Sequence, residues 1–329
     1  MSQRLDEIAS WLREDIRIAA FDINPASEDA SFRRYFRVSF DGQTRIVMDA
    51  PPDKEDCGPF LDVARKLREC GLNVPHVLAT DRTHGFLLLT DLGTELYLNA
   101  LSTSNVAELY GDALDALLIM QAKAKTNSLA PYDKTLLHEE MELFRQWLVQ
   151  KHLNISLRED ENKMLDRTFF LLAESALTQP TVFVHRDYHS RNLLHTSHNN
   201  PGIVDFQDAV VGPVTYDLIS LLKDCYIAWP AHQVKAWILE YHTRALAAGI
   251  ISLRDQSEFM RWVDLMGIQR HLKASGIFAR LCHRDGKCGF LDDVPRTLGY
   301  VLEASQRFAE LAGLHELLAQ RIMPRLDTV

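Results

Sequence analysis

Val184-His185-Arg186-Asp187-Tyr188-His189-Ser190-Arg191-Asn192 and, after a short polar turn, Ile203-Val204-Asp205-Phe206-Gln207-Asp208 are the stretches that decide how this chain folds. The first has the spacing H-R-D-x-x-x-x-N, and the second opens on an Asp-Phe pair. Phosphoryl transfer uses these groups in this order: a loop aspartate for the acceptor hydroxyl, then an asparagine and a second aspartate for metal. Apolar flanks at 181–184 and at Ile203-Val204 predict buried strands that present the acids at their ends. Leu193, Leu194 and His195 precede a segment rich in Asn, Ser, Pro and Gly. That pattern predicts a two-stranded ribbon with a loose turn, which folds Asn192 and Asp205 back toward one another. An attacking hydroxyl must lose a proton, and Asp187 is the carboxylate expected to orient it and take that proton. Mg²⁺ bridging phosphates takes hard oxygen ligands, usually one or two from the protein. The Asn192 amide oxygen and the Asp205 carboxylate are expected to supply them. ATP is therefore the expected co-substrate and Mg²⁺ the expected ion. Plain turn-capping by Asp187 and Asp205 explains less, because the whole set occurs in order with strand flanks.

Composition bounds the rest. A chain of 329 residues is long enough for two lobes or domains. Its 47% hydrophobic and 25% charged residues are ordinary for a soluble globular protein. A formal net charge of −9, with no dense basic run, argues against nucleic acid or an anionic membrane as partner. The five cysteines are scattered and odd in number, which fits a reducing cytosol better than a disulfide framework. Residues 1–14 are charged and amphipathic, without the apolar core of a signal peptide. No apolar stretch approaches the roughly 20 residues that span a bilayer. A cytoplasmic enzyme is expected.

Along the chain, Leu5, Ile8, Ala9 and Leu12 make the stripe of a first helix. Strands are expected at 19–23, 32–40, 44–50, 76–80 and 86–90, with a turn-rich loop at 25–31 and a hairpin turn at Asp41-Gly42. Phe60, Val63, Ala64 and Leu67 mark a helix that ends before Gly71. Asp91-Leu92-Gly93 is the expected hinge. Beyond it, helices are expected near 106–123, 136–151, 160–177, 213–228, 231–248, 256–275 and 298–313.

The order of these elements, with His185-Arg186-Asp187 to Asn192 and Asp205-Phe206, resembles the aminoglycoside phosphotransferase family of small-molecule kinases over most of the chain. Ser31-Phe32-Arg33-Arg34-Tyr35-Phe36-Arg37-Val38, Met48-Asp49-Ala50-Pro51-Pro52, Gln269-Arg270-His271-Leu272-Lys273 and Gly276-Ile277-Phe278-Ala279-Arg280-Leu281 resemble, within it, the bacterial anomeric sugar kinases of cell-wall recycling. The resemblance implies an α+β, bilobal, protein-kinase-like fold. A small antiparallel-sheet lobe over 1–91 would bind nucleotide, and a larger, mainly helical lobe over 92–329 would carry catalysis and the sugar. It further implies phosphorylation of N-acetylmuramate or N-acetylglucosamine at C1, with hand-over of the sugar-1-phosphate to a uridylyltransferase. His185 and Arg186 would brace the loop, and Asp217 would bond to it from a helix start. His189, Arg191, Arg270, His271 and Lys273 would face the sugar.

The chain departs from the kinase pattern twice. No G-x-G-x-x-G loop is present; Ala26-Ser27-Glu28-Asp29-Ala30-Ser31 stands in its place, so backbone amides with Ser27 and Ser31 are expected at phosphate. The strand lysine is replaced in Val47-Met48-Asp49, and an acid cannot neutralise phosphate. Alternation sets Arg34 on one strand face with Phe32 and Phe36, and Arg33 with Arg37 on the other. Arg34 is the expected substitute cation and Arg33 the reserve. For the adenine ring, Leu88, Leu89 and Thr90 form the expected edge, and Val47, Leu194 and Val204 the walls. Two competing readings are another acceptor on the same fold (aminoglycoside, choline, homoserine or thiamine) and a catalytically inactive binding module. The basic cluster around Arg270 and Lys273 opposes a cationic acceptor, and the intact Asp187, Asn192 and Asp205 oppose inactivity.

Overall fold

The computed structural model describes residues 2–28 and 32–326. The chain divides into two compact units, 1–96 with 193–208 and 97–192 with 209–329. The boundary expected after residue 91 thus falls after residue 96, and the ribbon groups with the first unit.

The first unit runs α1 (Ser2–Glu14), β1 (Asp22–Glu28), β2 (Arg34–Phe40), β3 (Gln43–Asp49), α2 (Gly58–Glu69), β4 (Val77–Asp81) and β5 (Phe86–Thr90). The strands form one antiparallel sheet in the order β1-β2-β3-β5-β4. Phe36, Val38, Val47, Phe86 and Leu88 point to one face, where Ile8, Trp11 and Leu12 of α1 pack on them. Tyr35, Arg37, Ile46, Met48, Leu87 and Leu89 alternate to the other face. A correction falls on β1, which continues through Pro25 to Glu28 where a turn-rich loop was expected. β1 is an edge strand, so Pro25 need not donate a ladder hydrogen bond, and a bulge between Pro25 and Ser27 absorbs the irregularity.

The second unit begins with α3 (Tyr97–Ala100), α4 (Val106–Lys123), β6 (Ala130–Pro131), α5 (Lys134–Leu143), a π-helical continuation over Phe144–His152, α6 (Glu159–Leu177) and β7 (Thr181–Val184). The chain then gives β8 (Leu193–Leu194) and β9 (Gly202–Ile203), the expected antiparallel ribbon, to the first unit. It returns as β10 (Val210–Pro213), α7 (Tyr216–Leu222), α8 (Ala231–Ala247) and α9 (Gln256–Asp285). A 3₁₀ turn over Cys288–Asp293, α10 (Val294–Ser305), α11 (Ala312–Leu317) and α12 (Met323–Leu326) follow. β10 pairs antiparallel with β7 and parallel with β6.

Several expectations change here, among them the helix expected near 298–313, which is broken between Ser305 and Ala312. The helix expected over 213–228 is only Tyr216–Leu222, because Val210–Pro213 is a strand. α9 does not stop before Gly276 but runs to Asp285, where Gly286 closes it at φ 71°. Gly276 is a packing contact instead. A Cβ there would sit 2.3 Å from the Leu143 carbonyl carbon and 2.4 Å from the Phe144 nitrogen. The cysteines are not all free: Cys282 and Cys288, six residues apart across the end of α9, form a disulfide, leaving Cys57, Cys70 and Cys225 as thiols. Among the described residues no helix is long and apolar enough to cross a membrane.

Candidate active site

The loop after β7 is held from both ends by buried carboxylates. Asp217, at the start of α7, accepts the His185 amide at 2.7 Å and the Arg186 amide at 3.0 Å. Asp224, just beyond α7, accepts the amides of Ser190 and Tyr226, each at 2.9 Å. Inside the loop, the Asn192 side-chain amide donates to the Asp187 carbonyl at 3.0 Å, and the His189 amide donates to the same oxygen at 3.0 Å. The Asp187 amide donates to His185 Nδ1 at 3.3 Å. Arg186 takes the left-handed conformation, φ 77°, which costs a non-glycine residue on the order of 1–3 kcal/mol. Its guanidinium is tied to Glu140 of α5, which also receives the Tyr132 hydroxyl and, at 3.0 Å, the Lys273 ammonium. Lys273 donates in addition to the Tyr216 hydroxyl at 2.9 Å.

These cations set the charge of Asp187. Burial alone would raise its pKa, but the charges of Lys273, Arg270 and Arg186 hold it below the usual carboxylate range. For His189, burial lowers the pKa despite the nearby Asp224 and Asp187, so the ring is neutral at pH 7. Its Nδ1 is buried with no partner among the described residues. Arg270 is 4% exposed, with one guanidinium nitrogen 3.6 Å from Cys225 Sγ and its Nε unpartnered. Orphaned polar atoms beside an ionised carboxylate are what a polar acceptor molecule could satisfy. Arg191 is exposed, its guanidinium carbon 4.1 Å from the Tyr226 ring centre and 5.2 Å from that of Phe290.

His271 does not join them. It is 1% exposed, its Nε2 bonds to the Lys223 carbonyl at 2.8 Å, and its ring lies 4.9 Å from Tyr300. Burial brings its pKa to about 3. The cause is helical geometry: on α9 position 271 turns about 100° from 270, onto the face that meets the end of α7. Lys273 likewise braces Glu140 and Tyr216, although its charge reaches Asp187.

In the first unit, Asp205 takes φ 63° and accepts the Gln207 side-chain amide at 2.9 Å. Phe206 is buried with its ring 5.0 Å from Phe60, which fixes the turn that presents Asp205. Asn192 and Asp205 offer only oxygen ligands, the donor type Mg²⁺ takes, and an ion that also binds phosphates needs no more than one or two from protein. Among the described residues no three His, Cys, Asp or Glu side chains converge as a cage.

Several expected nucleotide contacts are placed differently. Arg34 is not a spare cation: it shares the α1 side of the sheet with Asp49, donates to that buried carboxylate from two nitrogens, and is joined there by Arg4 of α1. Val47 also points to the α1 side and is packed in its core, so its side chain is not a wall for a ring; the Leu88 side chain is in the same core. Arg37, on the opposite face, donates to Asp91 at 2.6 and 3.0 Å and to the Gly93 carbonyl at 3.0 Å. Burial would raise Asp91, but these bonds hold its pKa low. Thr90 accepts the His76 amide at 2.8 Å. Arg33 is 9% exposed and directly precedes β2. Ser31 and the Ser27 side chain lie outside the described residues.

Residues 22–250 match the family described as "Phosphotransferase enzyme family". The chain belongs to that family. This phosphotransferase is 45% identical, over 96% of both chains, to an N-acetylmuramate/N-acetylglucosamine kinase of Pseudomonas putida. It is 49% identical to the kinase of the same name from Pseudomonas aeruginosa, over 91% of this chain and 88% of that one. Its fold is that of a choline/ethanolamine kinase family protein from Mesorhizobium loti, with TM-score 0.64 at 13% identity, over 95% of this chain and 99% of the other. It is thus an ATP-dependent kinase with a hydroxyl acceptor on a protein-kinase-like α+β fold. Glu140 and Asp224 are the parts of the phosphotransferase loop support that the motifs did not reveal.

Proposed function

We propose that the enzyme transfers the terminal phosphoryl group of ATP to the anomeric C1 hydroxyl of N-acetylmuramate and N-acetylglucosamine, as a cytoplasmic step of peptidoglycan recycling. The observation that carries this reading is the near-full-length identity to two kinases named for those sugars. The cation-rich surroundings of Asp187 support it, since they disfavour the positively charged choline or aminoglycoside acceptors of the same fold.

Asn192 and Asp205 would hold Mg²⁺, which when bound neutralises phosphate charge. Asp187 orients the acceptor hydroxyl and takes its proton as the oxygen bonds to phosphorus and the bridging oxygen leaves with ADP. A carboxylate held below its usual pKa is a weak base. It suits the anomeric hydroxyl, which the adjacent ring oxygen makes more acidic than other sugar hydroxyls. Neutral His189 and charged Arg270 offer Nδ1 and Nε to further sugar oxygens. A sugar-1-phosphate has no free reducing end and would pass to a uridylyltransferase.

Phosphorus and proton NMR of the product tests the proposal. The phosphate should couple to H1 of either hexosamine, and ADP release should exceed that with aminoglycosides or choline. Coupling to H3 or H6, or a clear preference for a cationic acceptor, removes it.

A further inference from the structure

We infer that Arg191 reads an anionic substituent on the acceptor and so decides how far N-acetylmuramate is preferred over N-acetylglucosamine. This inference rests on the sugar-kinase reading above. The two sugars share the anomeric centre and the acetamido group; N-acetylmuramate adds a lactyl ether that ends in a carboxylate.

The other cations around Asp187 are already engaged. Arg186 and Lys273 are paired with Glu140, and Arg270 is buried, with Cys225 Sγ beside one nitrogen and its Nε left for a neutral sugar oxygen, so it presents no open fork to a carboxylate. Arg191 differs on each count. It is exposed, and among the described residues no carboxylate pairs with it and no acceptor takes its N–H groups. What it does touch is aromatic: Tyr226 at 4.1 Å and Phe290 at 5.2 Å. Stacking uses the faces of a guanidinium and leaves its N–H edge for an acceptor in the same plane, the geometry in which arginine grips a carboxylate with two bonds.

Its position relative to the reacting group is also set. Arg191 follows Asp187 by four residues, with the intervening Ser190 amide pinned by Asp224. Tyr226 is pinned by the same carboxylate through its own amide, and its ring lies 5.3 Å from His189. The Tyr226 ring thus lies against both the Arg191 guanidinium and the His189 imidazole, and His189 is two residues from Asp187. Phe290 stacks on Phe278 at 5.7 Å and belongs to the turn that the Cys282–Cys288 disulfide closes. The guanidinium is therefore pre-positioned on a rigid aromatic support.

The test compares kcat/KM for the two sugars in wild type, Arg191→Ala and Arg191→Lys. Arg191→Ala should lower the N-acetylmuramate to N-acetylglucosamine ratio by roughly 10- to 100-fold, as loss of a charge-assisted pair predicts. Arg191→Lys, which keeps the charge but not the fork, should recover part of it. Should Arg191→Ala fail to fold, the wild-type enzyme decides alone: the lactyl methyl ester of N-acetylmuramate should lose a similar factor against the free acid. An unchanged ratio in Arg191→Ala, or an ester used as well as the acid, overturns the inference. So does a wild type that phosphorylates N-acetylglucosamine but not N-acetylmuramate, while leaving the sugar-kinase reading intact. Turnover of neither sugar would remove that reading, and the inference with it.

Discussion

Asp187 is tuned in the direction opposite to most general bases, which are raised toward neutral pH. Its cations keep it ionised, so it orients a hydroxyl more than it pulls a proton. Asp187→Asn keeps shape and hydrogen bonding but removes the charge. Turnover should fall roughly 10²- to 10⁴-fold with ATP binding largely retained; near wild-type turnover would sink the role. Arg34 calls for the reverse pattern. It neutralises Asp49, which is fully buried, so Arg34→Ala should cost about 1–3 kcal/mol of stability, Arg4 remaining as a second partner. The melting temperature should drop while KM for ATP moves less than about threefold; a large KM change in a protein of unaltered stability would return Arg34 to the nucleotide. The loop that carries Asp187 and Asn192 and the turn that carries Asp205 were legible because their residues are written as linear spacing. The pairing of Arg34 with Asp49 was not legible because alternation assigns faces to a strand but does not say which face a helix will cover.

At the scale of elements, the strands and long helices followed from apolar periodicity, and the exceptions have local causes. Pro25 lies inside a strand because edge strands tolerate a missing donor. Gly276 looks like a helix stop in sequence, yet it serves the contact of α9 with the α5–π junction. One cysteine pair was missed for a related reason: an odd count says nothing about two thiols brought together across the end of α9. Glu140 and Asp224 could not be recognised as loop supports, since a carboxylate on a helix or just beyond one carries no mark of the distant amide or guanidinium it will meet. Gly276→Ala tests the packing directly. A methyl group 2.3 Å from backbone cannot be absorbed by side-chain rotation, so α9 must shift, at a cost of roughly 1–3 kcal/mol or more. Because Arg270 and Lys273 ride on α9 ahead of that contact, activity should fall further than stability explains. A variant that melts and turns over like wild type would show that the junction yields freely.

For the whole molecule, two buried groups make opposing contributions to acid stability. His271 stays neutral, its pKa brought to about 3 by burial and by Arg270, against 6.5 when unfolded. As pH falls below about 6.5 the unfolded chain takes a proton there and the folded one does not, so stability is lost down to about pH 3. Asp217 is raised by burial to about 6, with His185 and the two amides pulling the other way, against 3.8 when unfolded. Between pH 6 and about 4 the folded chain takes this proton first, so stability is gained as pH falls. Each group exchanges one proton, and within that window their slopes cancel. His152 and His189, both lowered chiefly by burial, add to the acid loss, so difference curves are the useful measurement. Urea midpoints followed from pH 7 to pH 4 should fall less steeply in His271→Gln than in wild type. In Asp217→Asn they should fall more steeply below pH 6, because the opposing proton is gone. Parallel curves for all three proteins would mean that neither group changes its proton affinity on folding, and that the loop support is not a buried carboxylate at all but one open to water.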